Sequence, residues 1–193
     1  MHNQKNIKPE LLATLFIIIV AAIRVGINSS GQLHPLTSFS PIGAMALFGG
    51  AYYKRSSWAL LVPLITLFVS DTVLALTVYR SFSHGLLYGG WYWVYGAFAL
   101  MVLAGRLLLK KVTVTNLLLA VMVITAIHWV VTDLGVWLHG YPHTMAGWVA
   151  CLTAAIPFER NFLLGSLFYS IVLFGGFEWV KRHGWMGKPL MAS

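Results

Sequence analysis

Few of the 193 residues can do chemistry, and those that can fall close together. The chain holds five acids and seven histidines. Arg24 and Asn28 stand four apart, so a helix carries them on one face. Asp71 follows Ser70, with Thr66 about one turn before it. Thr125, His128 and Thr132 form a helical stripe; Asp133 comes next, with Trp129 and Trp137 one turn to either side of it. His34, His84, His139 and His143 fall between apolar runs. Ionisable side chains within apolar runs are costly in lipid and mark sites by default. The chemistry open to this set is recognition. Carboxylates, imidazoles and a guanidinium hydrogen-bond a small ligand, and tryptophans stack on its rings. The expected substrate-binding residues are Arg24, Asn28, His34, Asp71, His84, His128, Trp129, Asp133, Trp137 and His143. The competing reading is structural: Arg24 neutralises Asp71 or Asp133 in a buried pair, and the histidines lie in wet loops.

Other chemistries are less well supplied. His84, His139 and His143, with Asp133 near, have the nitrogen and carboxylate donors that suit zinc. Gly140 and Pro142 separate His139 from His143, however, and no H-E-x-x-H is present, so no metal is expected. Cys151, the single cysteine, is either a small packing residue or a thiolate ligand to a metal-centred cofactor. No serine sits in a nucleophile elbow and no Gly-rich phosphate loop exists. No catalytic residue and no resident cofactor are therefore expected, while a bound vitamin-like ligand is compatible with the set.

The elements that must position these residues are apolar. Hydrophobic residues make up 59% of the chain and charged residues 9%, with a mean hydropathy of +0.78. A soluble domain has about 45–50% and about 25% respectively. The composition is that of a multi-pass membrane protein. The net charge of +8 does not imply nucleic acid, because the cations sit at the ends of apolar runs and not along a stripe. Spans are expected over about 11–27, 41–53, 58–79, 91–109, 116–138 and 162–180. Ser40-Pro41 reads as a helix start for the second of these. A short apolar piece, Met145–Phe158, bracketed by Pro142 and Pro157, reads as a re-entrant or interfacial helix between the fifth and sixth spans. The expected fold is thus an all-α membrane protein, a single integral domain over 1–193 with six transmembrane helices. With both termini cytoplasmic, Lys5, Lys8, Lys54, Arg55, Arg106, Lys110, Lys111, Lys181, Arg182 and Lys188 all lie inside, ten of the thirteen Lys and Arg. Only Arg24, Arg80 and Arg160 then lie outside.

The run Ser38–Ala51 (SFSPIGAMALFGGA) resembles the signature of an uncharacterised family of small bacterial multi-span proteins. So do Ser70-Asp71, Thr132–Trp137 (TDLGVW), Tyr141–Thr144 (YPHT) and Ala154–Phe158 (AAIPF). In size, span number and termini the chain is also similar to the substrate-capture (S) components of energy-coupling-factor vitamin transporters. That resemblance implies capture of a vitamin-like solute from outside, in the bacterial cytoplasmic membrane, with a separate ATPase module as energising partner. Two further readings compete: an intramembrane metal-dependent enzyme acting on a lipid or isoprenoid, and an accessory subunit of a membrane complex. The expected partners are the lipid bilayer and a small-molecule substrate, and not nucleic acid.

Overall fold

The computed structural model describes residues 9–28, 39–78, 80 and 86–182; His34 and His84 lie outside these, and Asn28 is the last residue of the first helix. Six α-helices make up the described residues, with no strand among them: α1 Pro9–Asn28, α2 Ile42–Tyr52, α3 Ser56–Thr77, α4 Trp91–Leu108, α5 Val114–Gly140 and α6 Met145–Arg182. All but α2 are long and apolar enough to cross a membrane. Their outward faces carry large apolar side chains such as Ile18, Ile65, Leu119 and Ile171. A surface of this kind suits lipid and not water, and the chain is a multi-pass helical membrane protein.

The short helix α2 is the hub. Its 11 residues span about 16 Å, roughly half a hydrocarbon core of about 30 Å. Every residue from Ile42 to Gly50 is buried. In lipid, helices associate by close van der Waals packing, and small residues permit it. Gly43, Ala44, Ala46, Gly49 and Gly50 do this here. A side chain at Gly50 would run into the Val102 carbonyl and backbone around Gly105 of α4, and one at Gly49 into Pro63 of α3. Phe48 anchors the other side, its ring 5.2 Å from that of Phe174 and 5.3 Å from that of Phe177.

Polar contacts fix the level at which α2 ends. Tyr52 donates to Glu178 of α6, the Tyr53 hydroxyl meets Thr14 of α1, and Arg106 of α4 donates to the Tyr53 and Lys54 carbonyls. This end of the bundle also carries Arg55, Lys110, Lys111, Lys181 and Arg182 and is called the basic end. The other end of α2, at Ser40 and Gly43, packs against Ile124, Phe162, Gly165 and Ser166, partway up α5 and α6. The central helix therefore fills only the basic half of the bundle. Asp71, His128, Asp133 and Glu159 lie beyond its N-terminal end.

The expected break between Met145–Phe158 and the last span is overturned. Both belong to α6, one continuous helix of 38 residues, about 57 Å long. Pro157 removes one backbone donor, yet the buried face passes straight through it: Cys151, Glu159, Phe162, Ser166, Tyr169, Leu173 and Phe177 recur at helical spacing. A continuous packed stripe outweighs one missing hydrogen bond. The other helices begin and end within two residues of the expected spans.

Candidate functional site

Two polar clusters and one cavity occupy the half of the bundle beyond α2. The first cluster joins α1, α3 and α4. Arg24 Nη1 lies 2.7 Å from Asp71 Oδ1 and donates to Ser70 Oγ at 2.7 Å. The Tyr95 hydroxyl donates to Asp71 Oδ2 at 3.1 Å. Ser70 in turn donates to the Leu67 carbonyl, which holds its oxygen toward the arginine. The Asp71 side chain is 1% exposed and that of Arg24 12%. The carboxylate is thus neutralised and hydrogen-bonded on both oxygens, as a buried ion pair requires.

The second cluster joins α5 and α6. His128 Nδ1 lies 2.7 Å from Glu159 Oε1, and the imidazole stacks flat on Phe162, with ring centroids 4.0 Å apart and planes 11° from parallel. Asp133 stands five residues further along α5 and is buried as well. Asp133 Oδ2 and Glu159 Oε2 are buried and have no hydrogen-bond partner. Cys151 packs beneath, its thiol donating to the Asp133 carbonyl at 3.6 Å.

Between the start of α4 and the far half of α5 lies a cavity of about 440 Å³, lined by Tyr88, Gly89, Gly90, Tyr92, Trp93, Val94, Thr132, Gly135, Val136 and His139. Gly90 takes a left-handed conformation (φ 75°) at the turn into α4. Gly135 leaves room for the Trp93 indole, since a side chain there would meet its five-membered ring. Trp93 Nε1 is buried without a partner. Tyr88 faces both the cavity and the first cluster. Burial first, and then the Asp71 charge, push its phenol well above the ordinary range, with Arg24 opposing. It is a hydrogen-bond donor at any physiological pH.

The residues expected from sequence divide among these places. Arg24 and Asp71 meet in the first cluster; His128 and Asp133 belong to the second. Trp129 turns toward α6 and donates to the Leu152 carbonyl. Trp137 and His143 build the α5–α6 turn: the indole donates to the Pro142 carbonyl and packs on Trp148, and His143 Nε2 meets the Leu138 carbonyl. His139 lines the cavity while its Nδ1 faces the Gly135 carbonyl. Among the described residues no three His, Cys, Asp or Glu side chains are placed to hold a metal.

Four residues of these clusters escape a reading of the sequence. Glu159 falls between the expected helix ending at Phe158 and the span from 162, and its place in the buried stripe of α6 is what brings it inward. Tyr88, Trp93 and Tyr95 lie among several aromatics around the start of the fourth span, and nothing in their spacing distinguishes the ones that turn inward.

A model of a family of unknown function (DUF6580) matches residues 4–186, which takes in every helix described above. The chain belongs to that family. No curated protein and no solved structure matches it. In this family member the matched region includes both clusters and the cavity.

Proposed function

We propose that the protein captures a small, ring-bearing solute at the α4–α5 cavity and carries it inward across a bacterial cytoplasmic membrane. The observation that carries this reading is the cavity wall. Tyr88, Tyr92 and Trp93 offer π faces, and Thr132 and His139 offer polar atoms. The volume falls within the range of about 300–1,000 Å³ usual for small-molecule sites. A vitamin- or cofactor-like molecule with a flat ring and a hydrogen-bond acceptor fits this chemistry.

Orientation follows from charge. Placing the basic end in the cytoplasm puts the start of α1 and the end of α6 there and opens the cavity to the outside. The connections at that end, residues 53–55 and 109–113, are too short to hold a nucleotide-binding domain. Energy for uptake then comes from a separate ATPase module, as in the S components, or from an ion gradient.

Thermal denaturation of the detergent-purified protein against a panel of vitamins and cofactors tests the reading. A ligand at about 100 times its Kd adds about 2.7 kcal/mol to the stability of the protein. Trp93→Ala is expected to abolish the resulting shift, while Trp58→Ala, on an exposed surface near the basic end, retains it. A panel without any shift, together with no small molecule co-eluting from native membrane by mass spectrometry, would remove the uptake reading.

A further inference from the structure

The two polar clusters differ in charge balance. Arg24 and Asp71 cancel one another. In the second cluster Glu159 meets the imidazole, while the nearby Asp133 has no ion pair among the described residues, so even with His128 charged the group carries one uncompensated negative charge inside a span. Such a charge is costly in lipid and calls for a cation. Asp133 is 8% exposed and Glu159 6%, and each has one oxygen that is buried without a partner. Those atoms are too enclosed for an organic cation or a hydrated ion, and the described residues hold no metal-binding trio. A proton needs only one lone pair.

We propose that His128, Asp133 and Glu159 form a proton-binding site, and that its proton is the coupling ion of the uptake described above. The coupling half rests on that reading; the binding half does not. A proton leaves a hydronium ion in the cavity, forms an O–H bond at Asp133 Oδ2 or Glu159 Oε2, and neutralises that carboxylate, leaving water behind. With two protons shared over the three groups the cluster is neutral, and release of one restores a single negative charge. Thr132 and Gly135 of α5 line the cavity, and Asp133, which stands between them in the chain, is buried off that face. Phe162 closes one face of the imidazole and keeps its Nδ1 on Glu159.

The other groups around the cluster are accounted for. Besides Glu159, α6 presents the Cys151 thiol, which is turned to the Asp133 carbonyl, and Arg160, which is exposed. The ionisable side chain of α2 is Tyr52, bonded to Glu178 at the basic end. Those of α4 are Tyr92, half exposed at the cavity, Tyr95, on Asp71, and Arg106, on the Tyr53 and Lys54 carbonyls. Arg24 of α1 is held by Asp71.

Infrared spectroscopy of the full-length protein in liposomes tests the site without any ligand. Between about pH 5 and about pH 8, where imidazole ordinarily titrates, the wild type is expected to show the C=O stretch of a protonated carboxylic acid that fades as pH rises. Asp133→Asn and Glu159→Gln are expected to diminish it, and His128→Gln to move its midpoint. Glu10→Gln and Glu178→Gln are expected to leave it unchanged. No acid band in the wild type anywhere in this interval would overturn the proposal, and that measurement decides even if the variants fail to fold. A band that is indifferent to Asp133→Asn and Glu159→Gln would also overturn it. A titrating band in a protein that no vitamin stabilises keeps the proton site and removes its coupling role. A ligand shift without the band removes the proton site and leaves the uptake reading intact.

Discussion

Asp71 and Asp133 are the same side chain in opposite surroundings. Asp71 has a cation and a phenol on its two oxygens, whereas Asp133 keeps one oxygen buried and unpartnered. Removing one member of a buried ion pair costs about 3–5 kcal/mol, because the other charge is left uncompensated, whereas replacing both by apolar residues is often nearly neutral. Arg24→Gln is therefore expected to lower stability by an amount of that order in denaturant unfolding in detergent, and Arg24→Met with Asp71→Leu to lower it less. Asp71→Leu alone is expected to cost less than Arg24→Gln. The guanidinium can reach toward the membrane surface on its long stem, and the Asp71 carboxylate cannot. Equal losses in the single and double variants would mean that the pair does not act as a unit. The expectation of polar residues in this half of the bundle came from their cost in lipid. Their partition into a balanced pair and an unbalanced cluster depends on which helix faces which, and Glu159, the member that unbalances the second, falls between the expected helices at 145–158 and 162–180.

At the scale of helices, contact distance decides. Gly105 of α4 stands where an added Cβ would lie 2.9 Å from the Leu47 Cα of α2, and Gly50 meets the α4 backbone in the same way. Backbone cannot swing aside as a flexible side chain can. Gly50→Ala and Gly105→Ala are each expected to lower stability by about 1–3 kcal/mol, the usual range for overpacking. Gly96 and Gly175 meet nothing within 4 Å, so the same substitution there is expected to be neutral or to stabilise by up to about 1 kcal/mol. Melting temperatures of the four variants check this; similar losses at all four would refute α2 as a tightly held hub. The run Ser38–Ala51 is rich enough in glycine and alanine to announce close packing. That its helix is buried from Ile42 to Gly50, and half a membrane in length, is a property of its neighbours.

The whole molecule has a basic end and an end with a cavity, and their positions across the membrane can be read by labelling. In a Cys151→Ala background, Lys111→Cys is expected to resist a membrane-impermeant thiol reagent in intact cells, and Thr144→Cys to react with it. Cys151 itself, 2% exposed, is expected to resist in both orientations until the protein unfolds. The reverse pattern would turn the cavity toward the cytoplasm and replace uptake by export.

Composition and hydrophobic run length alone determined that this chain lives in lipid, where all its helices but α6 lie to within two residues, and which end carries the cations. These properties depend on each residue's own cost in water or hydrocarbon, so they can be added up along the chain. Only the tertiary structure decided that α6 passes through Pro157, that α2 stops halfway, that Trp137 and His143 brace a turn, and that Tyr88, Trp93 and Thr132 share a cavity. Each of these depends on the energy between side chains distant in sequence, and no local pattern contains that energy.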